Sequence, residues 1–487
     1  MFSTKAVILK STVSNDLKIK DLIQSFSDVD TKNHFSFTSG HLGTLPVSDD
    51  VLMKFIINKG FFESLKKITL VLRELIKLII FFFLPVKNIA ILLRTILRYF
   101  CNPKPIASHS LTVISLGIQS SSKDAYFGPL LTQLDNKFDY LKIVGGYSFR
   151  SKNYFYVESA LSFFEVVKFS IYILFSPLLS LGYLLSKVIK LDRLDYKEIF
   201  FLLGLKEINS GIITQNNLIA ISIKAWLNKN KTNKILYPME GRSWEKNIVK
   251  CMNESSVQSV GYIHCVLTPR HLSLVMPGFY RQKEIPSIIV APSQMIARLV
   301  RVTFPNAIVK KGYFLRGDEN NKTNPKKKNP NCLLFALTGN IAESTRIIDC
   351  IIALGIQKKY QIILRLNPNT SSYKYLIGYA EKFGINLYSN SMEYLPSICF
   401  FRSSSVALDY LKLNVTPVYL SLGEIISSNV FDLDKKYGFE ILEMNELFGV
   451  NLNNLVKLNN EVALGEQMSQ YYLEKINSNS TLSDLLD

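Results

Sequence analysis

The chain contains 487 residues, of which 48% are hydrophobic and 12% aromatic, and it carries a net charge of +18. Its length allows two or three domains, and its apolar content excludes an intrinsically disordered protein. The excess of lysine and arginine favours an anionic partner, and composition alone does not choose among nucleic acid, acidic lipid and a phosphorylated substrate. Six cysteines occur without a CxxC pair, so we expect a reduced, cytoplasmic chain without a zinc site.

The first 50 residues predict little structure. Residues 6–9 are a strand candidate, and the rest of this stretch is polar. The starting sequence MFSTKAVILKSTVSND lacks the long apolar core and the small-residue cleavage site of a signal peptide, so we do not expect export.

Two apolar insertions are predicted in the N-terminal half, at about 51–100 and 161–190. In the first, basic residues recur among aliphatic ones, and the longest uncharged run, 78–86, is far below the roughly 20 residues of a membrane span. This pattern is typical of helices that lie in a membrane interface. The second insertion has 18 uncharged residues between Lys168 and Lys187, but Pro177 and Gly182 interrupt it. We expect an interfacial or re-entrant hairpin rather than a true span, because a single crossing would split one sheet across the bilayer. A buried pair of core helices is the other alternative.

Strands and helices alternate through the rest of the chain, which predicts an α/β fold with parallel sheets. A polar, proline-containing run at 317–331 is the clearest linker. We therefore predict two doubly wound domains with a cleft between them: an N-terminal domain over 1–316 that carries the insertions, and a C-terminal domain over 332–487. Strands are predicted near 111–116, 140–144, 234–237, 259–264, 286–292, 307–314, 332–340, 361–366, 398–401 and 415–422.

The clearest acid–base candidate lies in the stretch YPMEGRSWEKN. Glu240 follows the end of a predicted strand, where a general base can face a cleft, and Gly241 permits a sharp turn there. The structural alternative for Glu240 stays open. Glu245 falls in the first turn of the next helix, where the helix dipole alone favours a carboxylate.

A second cluster lies in GYIHCVLTPRHLSL, which places three polar side chains within eight residues of another strand end. His264 ends the strand, and Arg270 and His271 follow in a loop. A lone histidine is most often a satisfied core residue, whereas three such side chains together favour contact with a substrate or a phosphate. Both interpretations stay open from the residues alone.

In the C-terminal half, two pairs of candidate residues follow predicted strands. Gly339 and Asn340 end one strand before a helix whose free amides can hold an anion. Arg365 and Asn367 end the next strand. Ligands of doubly wound domains bind at such carboxyl ends, so these residues predict a phosphate-bearing ligand.

A third strand end carries Arg402 and a run of three serines, Ser403, Ser404 and Ser405. The arginine adds to the prediction of a phosphate site. One serine can instead act as the helix N-cap, which needs no ligand. The sequence contains no GxxxxGK[ST] or GxGxxG fingerprint and no DxD-like pair after a strand, so we expect no bound cofactor and no metal on a diphosphate.

The stretches YPMEGRSWEK, GYIHCVLTPRHLSL, ILRLNPN and SSVALDYL, in this order, resemble the GT-B glycosyltransferases of bacterial surface-carbohydrate assembly (O-antigen and capsule), most closely those that use CMP-activated keto-sugars such as nonulosonates or Kdo. The resemblance covers approximately residues 110 to 425 outside the insertions. It implies that Glu240 is the base and that Pro368, Ser403 and Ser404 bind the donor. The histidine position of that family's His-Pro motif holds Asn367 in this chain.

The resemblance and the insertions together predict an inverting, metal-independent glycosyltransferase. It would move a nucleotide-activated sugar to a lipid-linked glycan and would be cytoplasmic, at the inner face of an anionic membrane. Two alternatives remain: a CDP-polyol phosphotransferase, or an inactive GT-B-like scaffold subunit. Nucleic-acid binding rests on net charge alone, and we expect no nucleic-acid partner because no recognised motif appears.

Overall fold

Two parallel β-sheets, each flanked by helices, organise the chain, as the sequence predicts. The computed structural model describes Leu72, Leu75 and Ile76 and residues 86–101, 109–115, 118–120, 123–124, 126–127, 138–143, 154–191, 194–269, 271–275, 277, 279–312, 327–367, 373–387, 394–402, 406–421, 429–433 and 441–443. The strand predicted at 6–9, the helix predicted near 462–476, most of the helix predicted near 127–134 and most of the insertion at 51–100 lie outside these residues.

The first sheet contains seven strands in the N-terminal half. In chain order the strands of this half are β1 (Leu111–Ser115), β2 (Ile118–Ser120), β3 (Lys123–Asp124), β4 (Asp139–Lys142), β5 (Phe155–Tyr156), β6 (Lys234–Pro238), β7 (Gln258–Tyr262), β8 (Ile288–Ala291) and β9 (Ile308–Lys311). The sheet order is β5, β4, β1, β6, β7, β8, β9, and all pairs are parallel. The strand order therefore reverses between β1 and β6. A short antiparallel hairpin, β2 and β3, follows β1.

The second sheet contains six parallel strands. They are β10 (Lys328–Ala336), β11 (Gln361–Arg365), β12 (Asn386–Leu387), β13 (Leu395–Phe401), β14 (Thr416–Ser421) and β15 (Ile441–Glu443). Their order in the sheet, β12, β11, β10, β13, β14, β15, reverses between β10 and β13. β10 begins at Lys328, inside the run that the sequence assigns to the linker.

Helices connect these strands. In chain order they are α1 (Val86–Cys101), α2 (Phe163–Lys190), α3 (Leu194–Ser210), α4 (Ile212–Lys229), α5 (Ser243–Glu254), α6 (Leu272–Val275), α7 (Gln294–Thr303), α8 (Ile341–Ala353), α9 (Tyr373–Lys382) and α10 (Val406–Lys412). The sequence did not predict α3 and α4, which connect the second insertion to β6.

Alternating side chains of the central strands build the cores. Val113, Leu236 and Val260 pack in one apolar cluster on one face of the first sheet. Leu333 and Phe335 belong to a second cluster on the second sheet. The opposite faces of both sheets contribute to a third, larger cluster. Strands covered on both faces read as near-continuous apolar runs, which is why the sequence locates them well.

The second insertion forms one continuous 28-residue helix, α2, so the prediction of a hairpin is wrong. Pro177 lacks the amide hydrogen that would bond the carbonyl of Ile173, and such a loss commonly kinks a helix. Here the Ile173 carbonyl accepts from Asn88 Nδ2 of α1 at 3.4 Å and from Ser176 Oγ at 3.1 Å. A side chain from a separate helix therefore satisfies the carbonyl that the proline leaves free.

Polar side chains on the inner face of α2 form hydrogen bonds with α4. Ser176 Oγ lies 3.0 Å from Thr214 Oγ1 of α4, and Asn217 Nδ2 of α4 donates to Tyr172 OH at 2.6 Å. α2 is long and apolar enough to cross a membrane by length and composition. The helix nevertheless packs against α1 and α4 of the N-terminal half.

We expect Asn88→Ala to lower the free energy of unfolding by about 0.5 to 1.5 kcal/mol, because the buried Ile173 carbonyl loses one of its two donors. In a Pro177→Ala background the helix regains its own amide hydrogen, so Asn88→Ala should cost distinctly less there. Denaturant unfolding of the two single variants and the double variant measures this coupling. Equal costs in both backgrounds would show that Asn88 does not compensate for the proline.

Candidate active site

The candidate residues of the N-terminal half lie at the point where the first sheet reverses its strand order. Ligands of open α/β sheets bind at the carboxyl ends of strands beside such a point. Glu240 follows β6 by two residues, and His264 follows β7 by two residues. Tyr126 comes from the connection after the neighbouring strand β1.

Glu240 and His264 form a direct pair. Glu240 Oε1 lies 2.9 Å from His264 Nε2, and the side chains are 14% and 2% exposed. Burial favours a higher pKa for Glu240, but the hydrogen bond from His264 and the positive charges of Arg242, His264 and His271 outweigh it and lower the pKa to about 2. Glu240 is therefore a carboxylate throughout the physiological pH range.

Arg242 is a site residue that the sequence reasoning missed. Its Nη2 forms an ion pair with Glu240 Oε2, and its side chain is 49% exposed. Burial lowers the pKa of the Arg242 guanidinium, but the charge of Glu240 and then that of Glu245 oppose this effect and raise it overall. The arginine stands immediately before α5, and a strand end followed by Glu-Gly-Arg was the available signal.

Glu245 closes the turn that carries Glu240. Its two carboxylate oxygens accept from the backbone N–H groups of Glu240 and Gly241, each at 2.9 Å, and the residue is almost fully buried. Burial raises the pKa of Glu245 to about 8, the amide hydrogen bonds oppose this shift, and the charge of Glu240 adds to it. Glu245 lies in the first helical turn as predicted, but it organises the loop as well as facing the helix dipole.

Gly241 occupies a position that only glycine fits. Its φ of +82° lies in the left-handed region, and a Cβ built there would lie 1.9 Å from Ser273 Oγ. The same hydroxyl donates to the Gly241 carbonyl at 3.1 Å. The turn after β6 is thus held on one side by Glu245 and on the other by α6.

His271 is oriented as a hydrogen-bond donor. The backbone N–H of Thr268 donates to His271 Nδ1 at 3.0 Å, so the neutral ring carries its proton on Nε2. Burial lowers the pKa of His271, which favours this neutral form. In its protonated form, His271 would contribute to the lowering of the Glu240 pKa.

Tyr126 and Asp124 support the pair, and the sequence reasoning missed both. The Tyr126 ring packs edge-on against His264, with ring centroids 4.5 Å apart. Asp124 accepts from the backbone N–H groups of Tyr126 and Phe127 at 2.7 and 2.9 Å, and from Ser115 Oγ at 2.5 Å. This buried carboxylate fixes the loop after β1, which in turn positions Tyr126 against His264.

Two of the residues predicted to bind the sugar donor, Gly339 and Asn367, lie next to each other in the C-terminal half. A Cβ at Gly339 would lie 3.7 Å from the Asn367 side chain, so the ends of β10 and β11 are adjacent. The side chain of Asn340 caps α8, because its Oδ1 accepts from Ala342 N at 2.9 Å and from Glu343 N at 3.3 Å. Arg365 is the last residue of β11 and is half-buried.

Arg402 does not serve as the predicted phosphate ligand. It is fully buried, and its Nε and Nη2 bind both carboxylate oxygens of Glu343 at 3.1 Å. A third donor, Nη1, bonds the Leu420 carbonyl at 3.2 Å. The guanidinium is thus committed to α8 and β14, and its charge is neutralised. Four candidates, Pro368, Ser403, Ser404 and Ser405, and also Arg270 lie outside the described residues.

No family model matches this sequence, and no curated protein matches it. Solved structures do align with much of the chain. UDP-N-acetylglucosamine 2-epimerase from Rickettsia bellii aligns with a TM-score of 0.41 at 9% identity, over 74% of this chain and 93% of the epimerase. Anabaena Alr3699/HepE in complex with UDP-glucose aligns with a TM-score of 0.36 at 9% identity, over 74% of this chain and 97% of HepE. Arabidopsis thaliana UGT89C1 aligns with a TM-score of 0.39 at 9% identity, over 57% of this chain and 78% of UGT89C1.

We expect the stability of the protein to decrease between about pH 5 and pH 8 through Glu245. Its folded pKa is raised, so its contribution is complete below the ordinary carboxyl pKa and is lost as the pH rises through about 8. Glu245→Gln should flatten this part of the profile, because glutamine does not titrate. Thermal midpoints at pH 5, 6, 7 and 8 measure the effect.

Glu284→Gln is the matched control, because Glu284 also accepts a backbone N–H, that of Arg281 at 3.1 Å, but lies outside the site. This variant should keep the parent slope. A parental slope in Glu245→Gln as well would exclude Glu245 as its source.

Proposed function

We propose that the protein is a GT-B-like glycosyltransferase in which Glu240, paired with His264, is the catalytic base. The observation that carries this proposal is the buried Glu240–His264 pair at the switch point of the first sheet. An oriented acid–histidine pair at the carboxyl ends of parallel strands is the arrangement expected of proton transfer to or from a bound substrate. The order of the quoted motifs supports the same family.

The reaction we propose is a single displacement with inversion. The acceptor hydroxyl transfers its proton to Glu240 as its oxygen bonds the anomeric carbon of the donor sugar. The bond from that carbon to the phosphate oxygen breaks, and the nucleotide phosphate leaves with the electron pair. Gly339 and Asn367 lie at the end of the second sheet where we expect the donor phosphate, and His271 can donate from Nε2 to the substrate.

We further propose a CMP-activated keto-sugar as the donor and a lipid-linked glycan of bacterial surface polysaccharide as the acceptor. The donor proposal rests on the motif resemblance. Asn367 at the family's histidine position can donate a hydrogen bond to a phosphate without carrying charge. Binding of CMP in preference to CDP, UDP, GDP and ADP by the purified chain would support it.

The outer faces of α1 and α2 support a membrane-bound acceptor. On α1 the exposed side chains Ile89, Leu93 and Leu97 recur every four residues. On α2 most of the exposed apolar side chains form a longer stripe, namely Phe164, Val167, Ile171, Leu174, Phe175, Leu178, Leu185 and Ile189, and exposed Phe163 and Leu179 flank it. Exposed Lys168 and Lys190 lie towards the two ends of this stripe. We propose that these faces lie in the interface of an anionic inner membrane, with the site on its cytoplasmic side.

We expect Glu240→Gln to reduce transfer by about 10²- to 10⁴-fold, because a positioned base contributes roughly that factor. The variant should stay folded by circular dichroism, and its nucleotide affinity should not fall, because Glu240 is not placed on the donor. Transfer is measured with a nucleotide-activated sugar and a synthetic lipid-linked acceptor. Transfer within a few-fold of the parent rate would overturn the role of Glu240, and absence of transfer by the parent with any donor would favour a scaffold.

We expect the full chain to bind vesicles of phosphatidylcholine and phosphatidylglycerol, with affinity that falls as salt rises. Leu174→Asp combined with Leu178→Asp should weaken this binding by at least about tenfold, because charge replaces exposed apolar side chains on the proposed face. Val302→Asp, at an apolar position of α7 that is more exposed than Leu174 and Leu178, is the control and should bind like the parent. Labelling of cysteines placed before Lys168 and after Lys187 from opposite sides of the bilayer would contradict an in-plane helix.

A further inference from the structure

Both oxygens of the Glu240 carboxylate are occupied in this structure. Oε1 is bonded to His264 Nε2, and Oε2, which is buried, faces the guanidinium of Arg242. An acceptor hydroxyl must reach one of these oxygens before it can lose its proton. Arg242 therefore covers the buried Oε2, and withdrawal of the arginine would open this oxygen to an acceptor hydroxyl.

The two partners differ in their freedom to move. His264 is 2% exposed, and the edge of the Tyr126 ring packs against its imidazole. Arg242 is 49% exposed and has a long side chain that begins at the residue before α5. A change of rotamer can carry its guanidinium into solvent without disturbing the core, whereas movement of His264 would open it. Arg242 is thus the partner that can leave.

A phosphate is the ligand that can draw this arginine away. The planar guanidinium binds carboxylate and phosphate oxygens in the same forked geometry, and a phosphate offers more oxygens and more negative charge. The charged and titratable groups that influence Glu240 are His264, Arg242, His271 and Glu245. Among these, Arg242 is the cation with a solvent-exposed side chain that a ligand can reach.

We propose that Arg242 is a phosphate-responsive cover on the base: it holds Glu240 Oε2 in the free protein and moves to the phosphate of a bound donor, which uncovers the carboxylate. This inference rests on the proposed function, since it takes a phosphate-bearing donor as the ligand. When Arg242 leaves, a positive charge that stabilises the carboxylate is removed, so Glu240 also becomes a stronger base. Proton abstraction from the acceptor is then coupled to occupation of the donor site.

The test measures how readily Glu240 is modified, so it does not require transfer. The full chain is treated with a water-soluble carbodiimide and an amine, and modification of Glu240 is quantified by peptide mass spectrometry. In the parent we expect slow modification that rises at least about threefold when CMP or inorganic pyrophosphate is added. In Arg242→Gln, modification should be fast and insensitive to both probes, because the cover is already absent.

Arg281→Gln is the matched control, because Arg281 is also partly exposed and lies 4.0 Å from a carboxylate, that of Glu284, outside the site. This variant should behave like the parent, with circular dichroism confirming the fold of all three proteins. Parent modification that neither probe changes, or equal modification of the parent and Arg242→Gln, would overturn the proposal. Retained transfer by Glu240→Gln would instead refute the proposed base while leaving the labelling result unaffected, so the two failures are distinguishable.

Discussion

The carboxyl group of Glu245 holds the turn on which the candidate site depends. It accepts the backbone amides of Glu240 and Gly241, and Ser273 bonds the same turn from the opposite side. A strand-to-helix connection would otherwise be a loop with several conformations, and a base on such a loop would not be held in reach of a substrate. One buried acid thus sets the direction of another acid five residues earlier in the chain.

Glu240 and Glu245 have different roles because their surroundings differ. Glu245 is enclosed by the protein and its pKa is raised, whereas Glu240 is bonded by His264 and Arg242 and its pKa is lowered. Opposite shifts in neighbouring acids are the pattern by which enzymes assign separate roles to identical side chains. Glu240, which is ionised, lies at the strand end. Glu245, which is buried, accepts hydrogen bonds from the backbone of the turn that carries Glu240.

Much of the fold follows from the sequence, because strands buried on both faces must be continuous apolar runs and their polar termini mark the ends. Glu240 and His264 were found in this way. The errors arise where a distant residue decides a local outcome. Pro177 suggested a hairpin because nothing nearby predicts that Asn88 satisfies the carbonyl of Ile173. Arg402 suggested a phosphate ligand because Glu343, 59 residues earlier, is brought beside it only by the sheet.

The site residues missed from the sequence have the same explanation. Tyr126 reaches His264 through a loop held by Asp124, and no periodicity links residue 126 to residue 264. Arg242 was within the quoted motif, but its role depends on which direction the turn after Gly241 takes. In each case the signal was a side chain type near a strand end, and the partner came from a different βα unit.

The polar inner face of α2 has a consequence for how the chain is made. While the ribosome synthesises the segment after Lys190, α2 has the length and apolarity of a membrane span, and its partners Thr214 and Asn217 do not yet exist. At typical elongation rates they follow after roughly 1 to 5 seconds. During that interval Tyr172 and Ser176 on the inner face of α2 lack these hydrogen-bond partners. The packing of α2 is therefore complete only after α4 has been synthesised.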